Sequence, residues 1–156
     1  MDKRKSLRLA EYDYSHSGAY FVTVCTHDRK QILSTISVGE GLCPLPLIKL
    51  THIGKMVQSA IEFVNDNTEN IVIDKYVIMP NHIHMIVILN NGPGGGGTPP
   101  LRSVIRPIKS YTTNQYKDKL WQRSYYDHII RDEADYLEKW NYIDTNPHRW
   151  ADDEYY

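Results

Sequence analysis

Ile71-Val72-Ile73-Asp74-Lys75-Tyr76-Val77-Ile78-Met79-Pro80-Asn81-His82-Ile83-His84-Met85-Ile86-Val87-Ile88-Leu89 is the stretch whose reading decides the fold. Two β-branched, apolar runs flank Pro80-Asn81, a turn signal, and predict two strands with the chain reversing at Met79–Asn81. Side chains alternate faces along a strand, so His82 and His84 share one face while Ile83 enters the opposite layer. At a rise of about 3.3 Å per residue the two imidazoles stand roughly 7 Å apart along that face and can converge on one divalent ion. A bare His-x-His pair also fits two imidazoles facing solvent from a half-buried strand. The unbroken apolar run Met85–Leu89 instead suggests a central strand, where a pair of imidazoles on one face needs a reason.

Upstream, Met1–Ser17 is polar and aromatic with no clear period, and Tyr12 and Tyr14 fit surface packing or base stacking. Tyr20–Thr26 is a strand of aromatic and β-branched residues. Residues 31–50 hold two short apolar runs around Gly39-Glu40-Gly41, Pro44 and Pro46, read as a small hairpin or irregular excursion. Thr51 is a plausible N-cap for a helix whose Ile53, Met56, Val57, Ala60, Ile61 and Val64 form one apolar stripe. Downstream, residues 91–100 are a Gly/Pro-rich linker with no following Lys-Ser/Thr, hence no phosphate loop. A helix over 103–116 follows, with Val104, Ile105, Ile108 and Thr112 on its apolar side and Pro107 expected in its first turn. Leu120–Ile130 reads as the last sheet strand. Asp132 caps a helix to about Asn146, stopped by Pro147, and an acidic, loose tail follows over residues 151–156. The order is β-α-β-β-α-β plus one helix, an α+β, ferredoxin-like sheet with helices on one face and a C-terminal helix added.

The chain has 156 residues, 41% hydrophobic and 24% charged, which fits one globular domain. Cys25 and Cys43 make no disulfide framework, and Cys25 reads as a small buried hydrophobe; a reducing cytoplasm fits. The basic Met1–Leu9 has no apolar region behind it, so it is not read as a secretory signal, and no apolar run approaches the roughly 18 residues of a membrane span. Net charge is −1, against a protein that coats nucleic acid. Charge is uneven, however: residues 101–125 carry Arg102, Arg106, Lys109, Lys117, Lys119 and Arg123 against Asp118 alone, while acid gathers over 132–138 and 152–154. Such a local basic face suits either a solvated surface or a short nucleic-acid site.

Of twelve tyrosines most must be structural. On the last predicted helix Tyr136, Leu137, Trp140, Ile143 and Asp144 share one side, the core stripe apart from Asp144. Tyr142 falls roughly opposite, with Asp135, Lys139 and Asn146, either exposed by accident or presented to a site.

Met79-Pro80-Asn81-His82-Ile83-His84 resembles the His-hydrophobic-His motif of the single-tyrosine HUH transposases, and more closely the REP-associated tyrosine transposase branch of the IS200-like family. The resemblance covers most of the chain. It includes Gly18-Ala19-Tyr20-Phe21-Val22-Thr23-Val24-Cys25-Thr26, Trp121-Gln122-Arg123-Ser124-Tyr125-Tyr126-Asp127-His128-Ile129-Ile130-Arg131 and Tyr142-Ile143-Asp144-Thr145-Asn146-Pro147. It implies a single HUH-type domain over residues 1–156 with Tyr142 as nucleophile on the C-terminal helix. His82, His84 and Asn146 would hold a divalent ion, Mg²⁺ or Mn²⁺. Asn146 lies four residues beyond Tyr142 on the same side, though its position before a proline suggests a frayed helix end. The implied substrate is single-stranded DNA, often a hairpin, cleaved and rejoined through a 5′-phosphotyrosine. Expected DNA contacts are Arg102, Arg106, Lys109 and Arg123 on the backbone, Tyr125 and Tyr126 stacking bases, and His128 and Arg131 on the last strand. Relatives working as monomers or dimers leave both arrangements open. A water-using, metal-dependent nuclease and a hairpin-binding protein without cleavage are the rival readings.

Overall fold

Met79-Pro80-Asn81 is the whole of the loop between strands β4 (Ile71–Ile78) and β5 (His82–Asn90). The Met79 N–H donates to the His82 carbonyl at 2.8 Å and closes the turn. The computed structural model of the chain describes residues 17–38, 46–90, 100–153 and 155. The N-terminal segment with Tyr12 and Tyr14, Cys43, and linker residues 91–99 lie outside those described.

Strand β1 (Ser17–Cys25) pairs with the far edge of β5, and β6 (Tyr126–Ile130) with the far edge of β1, all antiparallel in the order β4-β5-β1-β6. Helix α1 (His52–Asn67) connects β1 to β4 by way of a separate hairpin, β2 (Ser34–Val38) and β3 (Pro46–Leu50). Helix α2 (Arg102–Tyr116) lies between β5 and β6 in the chain. This is the ferredoxin-like βαββαβ order expected from the sequence.

Both faces of β5 are covered. Ile83, Met85, Val87 and Leu89 join Val22 and Val24 of β1 and the stripes of α1 and α2 in the main core. On the other face Ile86 packs with Ile130 and with Ile143 of α3 (Glu133–Thr145). Helices α1 and α2 therefore occupy one face of the sheet and α3 the other, which is the face of His82 and His84 by strand alternation. Val57, Ala60, Ile61 and Val64 are the buried positions of α1, as its period requires. Each Val or Ile removed from water there contributes about 1.5–3 kcal/mol. Cys25 is buried, and no helix among the described residues is long and apolar enough to cross a membrane.

Local readings differ from the structure at three places. Pro107 is the sixth residue of α2, beyond its first turn; it sits on the exposed side, where forfeiting one backbone hydrogen bond is tolerable. The last strand is shorter than Leu120–Ile130, because Trp121 makes only a bridge to Thr26 and its indole N–H donates to Thr112 Oγ1 of α2 at 2.8 Å. The apolar residues Leu120 and Trp121 thus belong to the helix-side core. Leu137 of α3 is 51% exposed and drops out of the expected stripe, leaving Tyr136, Trp140 and Ile143 against the sheet.

The start of α1 is fixed by close contact. Thr51 accepts a hydrogen bond from the Gly54 N–H, and its own N–H and hydroxyl reach the Leu33 carbonyl, both at 3.0 Å. A Cβ at Gly54 would lie 2.0 Å from that Leu33 oxygen. Gly54→Ala therefore sets a gain in helix propensity of about 1 kcal/mol against a backbone clash that nothing flexible can relieve. The clash wins: urea unfolding will show a loss of about 1–3 kcal/mol, and an unchanged or raised midpoint would refute this packing.

Candidate metal and tyrosine site

The β1–β5 register sets Cys25 opposite His82 and Thr23 opposite His84. His82 and His84 are fully buried side by side, ring centroids 4.5 Å apart. Each Nδ1 has a partner. His84 Nδ1 lies 2.8 Å from Thr23 Oγ1, and His82 Nδ1 lies 2.8 Å from Asn81 Oδ1. The Asn81 amide nitrogen donates to the carbonyls of Tyr155 and Arg29, so Asn81 Oδ1 is the acceptor and His82 Nδ1 carries the proton. That leaves a lone pair on His82 Nε2.

Both Nε2 atoms, together with Asn146 Oδ1, are buried without a hydrogen-bond partner. Asn146 is the C-cap of α3 with helical φ −56° and ψ −42°, buried rather than frayed despite the proline after it. Its amide N–H donates to Asp153 Oδ2 at 2.9 Å, which aims the other end of the amide elsewhere. Asp153 Oδ2 is also 3.9 Å from His82 Nε2, and ligand atoms of His82, His84 and Asp153 all lie within 4.8 Å of one another. Two imidazole lone pairs, an amide oxygen and a carboxylate with no partner for three of the atoms form a donor set that fits a divalent cation. The Asn81 bond fixes the His82 tautomer, and the Thr23 bond orients the His84 ring, as outer contacts of metal-binding histidines do.

Burial pushes the His82 imidazolium down to about 4, against the opposing pull of the Asp153 carboxylate and the Asn146 amide. Burial, and then the neighbouring His82, depress His84 as well. Both rings are therefore neutral at neutral pH, the form that binds metal.

Tyr142 joins this group from α3. Its ring lies edge-on to His84 with centroids 5.2 Å apart, and edge-on to Phe21 at 5.8 Å. It lies off the core stripe, as its helical position predicts, yet it still faces the sheet. Tyr136 does not compete: its hydroxyl donates to Asp74 on β4, and this bond, with burial, pushes it up to about 12.

Of the tail expected to be loose, the described residues Asp153 and Tyr155 pack against the site. The Tyr155 ring stands 4.5 Å from His82 and 6.0 Å from His84, and the Arg29 guanidinium lies 5.3 Å from the Tyr155 ring. Asp153, Tyr155, Thr23 and Asn81 are site residues that the sequence reading did not select. Only Asn81, adjacent to His82, carried a local signal.

The expected DNA contacts separate into two groups. Arg102 and Arg106 are exposed on α2, across the sheet from the histidines. Lys109 Nζ donates to the carbonyls of Gln122 and Ser124 at 2.8 and 3.1 Å, so its ammonium braces the segment before β6. Arg123 lines a cavity with His27, Lys119 and Trp121, and Tyr125 packs against the main core. Tyr126 and His128, by contrast, line a cleft next to the site. His128 Nε2 lies 2.9 Å from Asp135 Oδ2, which also accepts from the Arg131 backbone N–H.

No protein-family model matches the chain. An uncharacterized protein of Haemophilus influenzae is 30% identical over 174 residues, covering 98% of this chain and 93% of that protein. The solved structure of a REP-associated tyrosine transposase bound to a REP hairpin aligns with a TM-score of 0.65 and 27% identity, over 91% of this chain and 74% of that one. The chain thus shares the fold of a REP-associated tyrosine transposase over nine-tenths of its length and is similar to that family.

Proposed function

We propose that this protein cleaves and rejoins single-stranded DNA at hairpin elements through a covalent 5′-phosphotyrosine on Tyr142, with a divalent cation held by His82, His84, Asn146 and Asp153. The observation that carries the reading is the meeting of Tyr142 with His84, at 5.2 Å between rings, beside three buried polar atoms that lack partners. The solved relative's hairpin ligand supports DNA of that form as the substrate.

Tyr142 supplies the nucleophilic oxygen. Its bond to phosphorus forms as the bond to the 3′ oxygen breaks; the phenol loses one proton and the departing 3′ oxygen gains one. A 3′-OH on another strand end reverses the exchange, so the phosphodiester energy stays in the covalent link and no water or nucleotide is consumed. When bound, the cation would polarise a non-bridging phosphate oxygen and orient the phosphate. Asn81 holds the His82 imidazole in the tautomer this needs, and Thr23 orients the His84 ring. Mn²⁺ suits two imidazoles better than Mg²⁺ does.

Denaturing gels with a labelled hairpin carrying unpaired flanks, in Mn²⁺, provide the test. Wild type forms a protein–DNA adduct; Tyr142→Phe forms none while still binding the hairpin; Tyr136→Phe keeps the adduct within threefold. Continued nicking by Tyr142→Phe would instead identify a water-using nuclease.

Metal binding has its own signature. Saturation at a hundred times Kd stabilises a fold by about 2.7 kcal/mol. Mn²⁺ will raise the wild-type melting temperature and leave those of His82→Ala and His84→Ala unchanged. Because His82 is already neutral well above its value of about 4, Mn²⁺ affinity by calorimetry will be flat from pH 8 to 6 and fall only toward pH 4. A fall centred near 6.5, the value of a free imidazole, would mean the ligands are exposed histidines.

A further inference from the structure

The face that carries His84 and Tyr142 continues past β1. A cavity of about 220 Å³ holds His84 and Tyr142, and a cleft of about 410 Å³ extends over β6 to Tyr126, Asp127 and His128. The two share Phe21, Thr23, Lys139 and Tyr155. From β5 to β6 is two strand spacings, about 10 Å. The cleft is thus displaced from the histidines by the scale of one nucleotide.

Its chemistry is polarised. At the junction stands Lys139, three residues before Tyr142 on α3 and hence beside it. Its ammonium lies 5.8 Å from the Phe21 ring centroid and makes no ion pair among the described residues, unlike Lys75, which is bonded to Asp144. At the far end is His128, bound to Asp135. Tyr126 is 59% exposed and belongs to neither hydrophobic cluster. A cation near the site and a flat aromatic surface beyond it match phosphate and base.

We propose that the cleft over β6 seats one unpaired nucleotide adjoining the scissile phosphate, its base stacked on Tyr126 and its phosphate held by Lys139. This rests on the single-stranded DNA reading above, which it extends by one subsite.

The test crosses Tyr126→Ala with an abasic scan. A fluorescent hairpin with unpaired flanks is made with each flanking position abasic in turn, and Kd is measured in Mn²⁺ for wild type, Tyr126→Ala, Tyr126→Phe and, as a control on the opposite face, Tyr111→Ala. A stacked base is worth about 1–3 kcal/mol, at least fivefold in Kd. At one position the abasic substitution will weaken wild-type binding at least fivefold. Tyr126→Ala will weaken the intact hairpin by the same factor, and the two losses will not compound. Tyr126→Phe will behave as wild type, and Tyr111→Ala will compound freely. Losses that multiply at every position, or a flank where no position matters, would overturn the subsite. Adduct formation on the intact hairpin is scored in parallel. Its absence counts against the tyrosine chemistry, and a shared loss in binding upholds the subsite in either case.

Discussion

Two imidazoles buried at the centre of a sheet face, with their Nε2 atoms unpartnered, are the constraint on which the rest of the structure depends. Each buried polar atom without a hydrogen bond costs about 1–3 kcal/mol. Three such atoms, counting Asn146 Oδ1, consume much of the 5–15 kcal/mol by which a domain of this kind is stable. The arrangement survives because strand register leaves no cheaper alternative. A one-residue slip of β5 would send Ile83, Met85 and Val87 out of the main core and both histidines into it. A cation bound there would remove the cost that the fold alone cannot.

The outer contacts bind this centre to every neighbouring element. Thr26 donates to the Asn81 carbonyl from its N–H and its hydroxyl, at 2.9 and 3.1 Å, pinning the turn before His82 to the end of β1. The Leu33 N–H donates to the Pro80 carbonyl at 2.9 Å, so the same turn is held to the start of β2 and, through the Leu33 carbonyl, to the Thr51 cap of α1. The Asn81 side chain then reaches the Tyr155 carbonyl. The ligands thus ride on a turn fixed from three sides, which keeps their geometry with or without a ligand.

The sequence made legible what is periodic and local. Alternation along β5 revealed which residues share the histidines' face, and the stripe of α1 revealed its buried side. The order of elements was enough for the topology. The placement of the basic residues of α2 was not legible, because a linear run of charge does not say which side of the sheet its helix will cover; tertiary packing put Arg102 and Arg106 on the face away from the histidines and engaged the Lys109 ammonium with two carbonyls. Asp153 and Tyr155 were invisible for a related reason. They follow a 3-10 segment, Asn146–Asp152, whose path back over β5 is set by the Asn146–Asp153 bond and the contact of the Tyr155 ring with His82, neither of which has a sequence period.

Helix α3 shows why position on a helix, and not tyrosine content, selects the candidate nucleophile. Tyr136 and Tyr142 are six residues apart, so at about 100° per residue they point about 120° apart. The first is bound to Asp74 beside the bulge of β4, while Lys75 bonds to Asp144 at 2.9 Å and lies 3.8 Å from the Trp140 ring. These contacts clamp one side of the helix to the sheet edge. With that side fixed and Ile143 buried, the rotation of the helix is no longer free, and Tyr142 has nowhere to turn but toward His84 and Phe21. The same packing that completes the smaller core therefore aims the phenol, so a change on the clamped side, at Asp74 or Lys75, acts on the site only by altering where α3 rests.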